Sequence, residues 1–242
     1  MKPILKKELW SYLGSYTAWT AFAAFSLVSA AFLFFFSNDF NLLDIGAASL
    51  QSYFVLAPWI LMFVIPALTM RSIAEEQQTG TLQFLFTLPV KLSDIVLGKF
   101  LAVWLIGLLC LLPSLMHLCT IHFLGIPNGN WDFGATFGSY LGLTLLTGAF
   151  SALGILCSAL SSSQVLAYLL GLLLCFTMYF GIEQLANFSL LGSADFFLRN
   201  LGFYYHFQGF TRGLIDSRDL FYFVLMILLN LLLAGWILKR KK

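Results

Sequence analysis

Long apolar runs, separated by short polar segments, dominate the sequence. Six of these runs are long enough to cross a ~30 Å hydrocarbon core, which takes ~20 helical residues. They lie at about 17–37, 48–71, 97–120, 136–160, 164–183 and 219–239. The strands of a membrane barrel would instead show ~10-residue segments of alternating apolar and polar residues. The pattern therefore predicts an all-α membrane protein, a single domain over residues 1–242 with six transmembrane helices.

The boundary between the fourth and fifth predicted spans has a weaker signal than the others. Residues 133–182 contain no Asp, Glu, Lys or Arg, and this stretch is too long for one crossing of the membrane. Its polar cluster is at residues 161–164, with the sequence Ser-Ser-Ser-Gln. We therefore expect a tight turn at this cluster, between two membrane helices.

Composition excludes several classes of protein. Of the 242 residues, 60% are hydrophobic and 10% are charged, whereas a soluble domain has about 25% charged residues. The chain lacks the charge needed to cover a water-facing surface, which argues against a soluble enzyme or a disordered tail. Its net charge of +2 is too small to indicate a nucleic-acid partner.

The basic residues indicate which side of the membrane each loop occupies. Six spans place both chain ends on one side, together with the loop between spans two and three. That side collects Lys2, Lys6, Lys7, Arg71, Lys91, Lys99, Lys239, Arg240, Lys241 and Lys242, and the other side collects Arg199, Arg212 and Arg218. Because Lys and Arg are enriched in cytoplasmic loops, we expect both termini to be cytoplasmic.

The motifs of common enzymes and nucleotide-binding proteins do not occur in the sequence. It has no GxxxxGK[ST] phosphate loop, no HExxH metal site and no GxSxG serine elbow. An ion-coupled transporter normally keeps a buried carboxylate, which costs ~2.5–3.5 kcal/mol and persists only for a function, and none lies inside the predicted spans. We therefore expect no catalytic, cofactor-binding or metal-binding residue, and an energy source outside the membrane. An intramembrane enzyme is a competing class, and the missing motifs argue against it.

The loop between spans two and three has the pattern of an extension of span two, a bend and one short helix. Glu75 and Glu76 extend span two past the lipid headgroups, and Gly80 ends that helix, since glycine readily adopts the left-handed conformation. Thr81 is placed to cap a second helix, and Pro89 ends it. The loop therefore predicts a short helix on the cytoplasmic surface.

Apolar residues form one stripe on this second helix. Leu82, Leu85 and Phe86 fall at positions i, i+3 and i+4, which places them on one face. Physical chemistry alone leaves two interpretations open. The stripe lies on lipid, as an interfacial helix does, or it contacts a partner protein.

The same loop resembles that of permease subunits of ABC-2-type exporters. In that family it reads Glu-x-x-x-Gly-Thr-Leu-x-x-Leu-x-x-x-Pro, followed by Gly-Lys at the start of span three. The matching residues are Glu76, Gly80, Thr81, Leu82, Leu85, Pro89, Gly98 and Lys99. Residues 6–12 are similar to the amphipathic N-terminal helix of the family, so the resemblance covers essentially the whole chain.

The segment between spans five and six extends this resemblance. It contains His206, Arg212, Gly213 and Asp216, a combination similar to the gliding-motility-associated branch and its neighbours in nitrous-oxide-reductase maturation. Two interpretations remain open: anchors at the level of the lipid headgroups, or a re-entrant helical cap on the outer side. Because Arg212 and Asp216 are four residues apart, we expect them to pair on a helix, buried in such a cap.

The resemblance implies the fold of a type V, ABC-2-like exporter: an amphipathic N-terminal helix, six spans, a cytoplasmic coupling helix and an outer cap. It also implies that the cytoplasmic loop contacts a separate ATPase subunit, which would bind ATP and Mg. The expected contact residues are Glu75, Glu76, Gln77, Thr79, Gly80, Thr81, Leu82, Leu85 and Pro89. A second permease, identical or related and with or without a periplasmic domain, is a further expected partner.

Together these features predict a permease subunit of an ATP-driven exporter, which couples an ATPase to substrate movement across the bacterial inner membrane. An alternative is a force transmitter, which would use ATP hydrolysis to act on an outer-side protein without solute transport. The expected surroundings are the lipid bilayer and protein partners, with no nucleic acid.

Overall fold

The computed structural model describes residues 2–45, 49–87, 91–125, 129–188 and 194–241, except for the side chains of Ile45, Leu85, Thr87 and Ala194. This described part is almost entirely helical and contains no strand. The helices are α1 (Lys2–Leu13), α2 (Tyr16–Ala30), α3 (Leu42–Ile45), α4 (Gln51–Thr69), α5 (Ala74–Gln78), α6 (Leu82–Thr87), α7 (Leu92–Leu111), α8 (Ser114–Leu124), α9 (Phe133–Leu160), α10 (Gln164–Phe176), α11 (Ile182–Asn187), α12 (Ala194–Arg199), α13 (Phe203–Thr211) and α14 (Ser217–Arg240). Two π-helical turns, Ala31–Phe35 and Thr177–Gly181, continue α2 and join α10 to α11.

Within the described ranges, six helical segments are long and apolar enough to cross a membrane, which confirms the predicted all-α, six-span class. Spans one to six are Tyr16–Phe35, Gln51–Gln78, Leu92–Leu124, Phe133–Leu160, Gln164–Asn187 and Ser217–Arg240. Span four ends at Leu160 and span five begins at Gln164, so the turn lies where the serine-rich run predicts it.

Span four forms the centre of the bundle. In its most apolar stretch 83% of the residues are buried, compared with 22% in spans one, five and six. It packs against spans two, three, five and six and against α13. Glycine and other small residues recur along span four, and such residues let helix backbones approach closely inside a membrane.

Two glycine contacts show how closely span four is packed. A Cβ atom added to Gly154 would collide with the Thr69 side chain of span two. A Cβ atom added to Gly142 would lie 2.6 Å from the Cβ atom of Phe210 in α13. Neither neighbour is the free end of a flexible side chain, so both positions require glycine.

The two ends of the bundle have different structures. At one end, which we call the termini end, Tyr12 of α1 contacts Leu68 of span two, and Lys241 contacts Gln77 of α5. At the opposite end, α12 and α13 form a structure that we call the cap. Within the cap, α13 packs against spans four, five and six, and α12 contacts the end of span five.

Gly154→Ala is expected to lower the thermal stability of the purified chain, because the added methyl group pushes span two away from span four. Overpacking of this kind costs ~1–3 kcal/mol. Gly235→Ala is the matched control, since no atom lies within 4 Å of a Cβ added to Gly235. Thermal unfolding in detergent compares the two variants. Equal stability of Gly154→Ala and wild type would show that the contact relaxes without cost.

Candidate functional site

The helix of span two is interrupted between Thr69 and Ala74, and other helices bind the backbone groups freed there. The Tyr12 hydroxyl of α1 donates to the Leu68 carbonyl oxygen at 2.9 Å. The Ser158 hydroxyl of span four accepts from the backbone N–H groups of Ile73 and Ala74, at 3.0 and 2.9 Å. Burial raises the pKa of the Tyr12 hydroxyl, which therefore stays protonated and remains a donor. The interruption is thus held by side chains from two other helices.

Lys99, about two turns along α7 from its start at Leu92, is the charged centre of this region. Its side chain is 2% exposed. Its Nζ atom donates to Glu8 Oε1 at 3.1 Å, to Glu76 Oε1 at 2.8 Å and to the Ser72 carbonyl oxygen at 2.6 Å. The sequence groups Lys99 with the basic residues of the predicted cytoplasmic side, and the structure places it at the termini end, buried between three segments. We call Lys99, Glu8, Glu76 and Ser72 the lysine network.

The geometry of the lysine network explains how a charge is kept in an apolar bundle. An ammonium group has three N–H donors, and here each donor has one acceptor. A buried ion pair is tolerated only when its remaining hydrogen bonds are satisfied in this way. Because the acceptors belong to α1 and to the extension of span two, the network joins both of these elements to span three.

The coupling segment, Ala74–Gln78 and Leu82–Thr87 with the bend between them, follows the predicted course in its first half. Gly80 has a φ of +72°, the left-handed conformation expected for the residue that ends a helix. The Thr79 hydroxyl donates back to the Glu75 carbonyl oxygen at 2.9 Å and lies 2.9 Å from the hydroxyl of Thr81. Glu75, Thr79 and Thr81 are exposed, so the bend presents a polar surface.

The apolar residues of α6 are divided between the inside and the outside of the protein. Leu82 is 7% exposed and belongs to the core of the chain. Phe84, which the predicted stripe omits, is 73% exposed. Two of the residues expected in the ATPase contact cannot be placed: the Leu85 side chain and Pro89 lie outside the described residues. Among the described apolar side chains of α6, Phe84 is therefore the exposed one and Leu82 the buried one.

Gln77 links the coupling segment to the last residues of two spans. Its Nε2 atom donates to the Ala159 carbonyl oxygen at 3.1 Å, and its Oε1 atom accepts from Lys241 Nζ at 2.8 Å. Lys241 also donates to the Ala159 carbonyl oxygen at 2.7 Å. The pattern of apolar residues gives no sign of Ser158 or Lys241 as partners of this segment, because both contacts join residues far apart in the sequence.

At the opposite end of the bundle, His206 of the cap is held by span six. Its Nδ1 atom lies 2.6 Å from Asp219 Oδ1, and its Nε2 atom lies 2.9 Å from the Asn200 carbonyl oxygen. Its ring stacks on Tyr222 with ring centroids 3.8 Å apart. A carbonyl oxygen can only accept, so Nε2 carries a proton. The His206–Asp219 contact therefore fastens α13 to the first turn of span six.

Arg212 and Asp216 do not form the buried pair on one helix that the sequence predicts. Helix α13 ends at Thr211, and Gly213, with a φ of +77°, turns the chain, so the two residues lie on either side of a turn. Both side chains are exposed. Asp216 caps span six instead, because its Oδ1 atom accepts from the backbone N–H of Arg218 at 2.9 Å. The contact between His206 and Asp219, rather than an Arg212–Asp216 pair, holds the cap to span six.

A cavity of about 630 Å³ lies between span two, span five and the cap. Trp59 and Tyr179 contribute aromatic rings to its wall, and Arg212 also lines it. Arg199 of α12 pairs with Glu183 of span five at 3.2 Å along the same wall. This ion pair joins the cap to span five, as His206 joins it to span six.

These features define a multi-pass membrane protein. Hydrogen bonds from other helices hold the interrupted end of span two at one end of the bundle, and a helical cap lies at the other. Among the described residues, no group of three or more His, Cys, Asp or Glu could hold a metal ion. The chain belongs to the ABC-2 family of transporter proteins, whose family profile matches residues 37–238. The chain is therefore a membrane component of an ABC transporter. This component works with an ATPase partner and is not itself an ATPase. No curated protein matches the sequence.

Lys99→Met is expected to destabilise the chain by ~3–5 kcal/mol, because it leaves Glu8 and Glu76 buried without a counter-charge. Lys239→Met is the matched control, since Lys239 is exposed. Thermal unfolding in detergent measures both variants. The triple change Lys99→Met, Glu8→Gln and Glu76→Gln should recover much of the loss, since it removes all three charges. A triple variant no more stable than Lys99→Met would contradict the charge-based explanation.

Asp219→Asn is expected to loosen the cap, because it weakens a charge-assisted hydrogen bond of a kind worth ~1.5–3 kcal/mol. Arg212→Ala should change stability by less than ~0.5 kcal/mol, as exposed substitutions usually do. Thermal unfolding shows which of the two variants is the less stable. If Arg212→Ala proved the more damaging change, Arg212 rather than His206 would be the anchor of the cap.

Proposed function

We propose that the chain is the permease subunit of an ATP-driven exporter, with its termini end facing the cytoplasm and the ATPase. Membership of the ABC-2 family supports the transport role. The excess of Lys and Arg at the termini end supports this orientation, with both termini cytoplasmic. The proposed location is the bacterial inner membrane.

The observation that carries the coupling role is the two-sided character of the coupling segment. One side is attached to the chain through Glu76, Gln77 and Leu82. The other side exposes Phe84 beside polar residues. An aromatic side chain surrounded by polar groups is typical of the centre of a protein–protein contact. We infer that Phe84 enters the ATPase surface, with Glu75 and Thr79 at the edge of the contact.

The attachment of the segment suggests how its movement reaches the membrane helices. ATP and Mg would bind to the ATPase subunits, whose closure would push the coupling segment. Lys99 would pass this displacement to span three and α1, and Ser158 would pass it to span four. Because the segment is bound to several helices, it cannot move alone, and a rigid-body shift of the bundle is the expected response.

The cap and the adjacent 630 Å³ cavity are the proposed outer closure of the transport path. A second permease, identical or related, would complete the path. One observation favours the alternative, a force transmitter that acts on an outer-side protein: Phe196 and Phe197 of the cap are 65% and 72% exposed. Such a role would fit the gliding-motility-associated or nitrous-oxide-reductase-maturation branch of the family.

Phe84→Asp is expected to release the ATPase, because it places a charge in an apolar contact. The tagged chain is purified from its native membrane, and the co-purifying ATPase is identified by its phosphate-loop motif. Retention of that ATPase should fall by about tenfold or more, the loss typical of a central contact residue. Phe197→Asp is the matched control, since Phe197 is 72% exposed and Phe84 is 73% exposed, but at opposite ends. Full retention with Phe84→Asp would mean that α6 contacts lipid only.

A further inference from the structure

A polar cavity of about 460 Å³ lies at the termini end, between α1 and the last part of span two with the bend that follows it. Its wall carries charges of both signs. The basic residues are Lys7, Arg71 and Lys99, and the acidic residues are Glu8, Glu75 and Glu76. The two sets balance, so the cavity suits a ligand that itself carries both charges better than a simple anion or cation.

Two buried oxygen atoms, on residues that line this cavity, have no hydrogen-bond partner within the described part of the chain. They are Oε2 of Glu76 and the hydroxyl oxygen of Ser72. Lys99 cannot serve them, because its three donors are already engaged. Buried polar groups are normally partnered, and two carboxylates here face one ammonium group. The missing partner is therefore a positively charged group that donates more than one hydrogen bond.

Exposed aromatic residues place the mouth of the cavity at the level of the lipid headgroups. Ser15 and Thr17 line the cavity, and Tyr16 between them is 90% exposed. Trp10 and Trp19, on the same stretch of chain, are 68% and 59% exposed. Exposed Trp and Tyr side chains concentrate at the interface between membrane and water. The ligand that reaches this cavity most directly is therefore a lipid headgroup.

We propose that the cavity binds the headgroup of phosphatidylethanolamine. The ammonium group would donate to Glu76 Oε2 and to the Ser72 hydroxyl. The phosphate would bind Lys7 and Arg71, which are both exposed at the wall of the cavity. A bound headgroup would join α1 to the coupling segment beside Lys99. This inference does not depend on ATPase coupling, because every group in it belongs to the chain or to the membrane.

The test compares headgroups that differ in charge and in hydrogen-bond donors. The full chain, purified in detergent, is titrated with phosphatidylethanolamine, phosphatidylcholine or phosphatidylglycerol, and native mass spectrometry measures the bound lipid. The trimethylammonium group of phosphatidylcholine has no N–H donor, and phosphatidylglycerol has no cation. Phosphatidylethanolamine should therefore be retained at about tenfold lower concentration than either. Equal retention of the three lipids overturns the proposal.

Ser72→Ala separates headgroup binding from folding. The hydroxyl has no partner in the described chain, and the Ser72 carbonyl oxygen still accepts from Lys99. The variant should bind phosphatidylethanolamine about fivefold more weakly, as expected for one lost hydrogen bond, with unchanged thermal stability in lipid-free detergent. Ser163→Ala, which removes an exposed serine hydroxyl at the same end, should bind as wild type does. Undiminished retention by Ser72→Ala overturns the proposal.

A second experiment addresses a basic side chain of the ATPase as the alternative occupant. The titration is repeated on the chain with its ATPase bound. Continued preference for phosphatidylethanolamine supports the lipid site. Loss of that preference on ATPase binding would assign the unpartnered oxygens to a partner arginine or lysine, which overturns the lipid assignment.

Discussion

The rest of the termini end depends on one buried ammonium group. Lys99 lies inside an apolar helix, where an unpaired charge would be too costly to keep, so its three donors must each find an acceptor. Those acceptors come from α1 and from the extension of span two. The need to solvate one charge therefore fixes the positions of three otherwise separate segments, and with them the position of the coupling segment.

Span four connects this end to the cap by close packing. Near its C-terminal end, Ser158 binds the start of α5 and Gly154 packs against Thr69. Near its N-terminal end, Gly142 packs against Phe210 of the cap. Because these contacts are so close, none of these elements can slide along span four without displacing span four itself. A movement of the coupling segment and a movement of the cap would therefore both involve one central helix.

Two charged residues have surroundings that the sequence does not indicate. Lys99 is grouped with the basic residues of one membrane side and proves buried, whereas Arg212 is assigned to a buried pair and proves exposed. Sequence position shows that each residue lies near the end of a span. Whether a charge at such a position faces water or protein depends on which segments fold over it. Here α1 covers Lys99, while the turn at Gly213 directs the chain away from α13 directly after Arg212.

The sequence by itself determines the all-α, six-span class, because the length of an apolar run is set directly by the thickness of the membrane. It also determines the bend at Gly80, since a single glycine supplies the required backbone conformation. Only the tertiary structure decides the partners of the polar groups. Glu8 and Lys99 are 91 residues apart, and Ser158 and Ile73 are 85 apart. In a chain where nearly every helix face is apolar, periodicity does not indicate which faces meet, so these pairings arise only from packing.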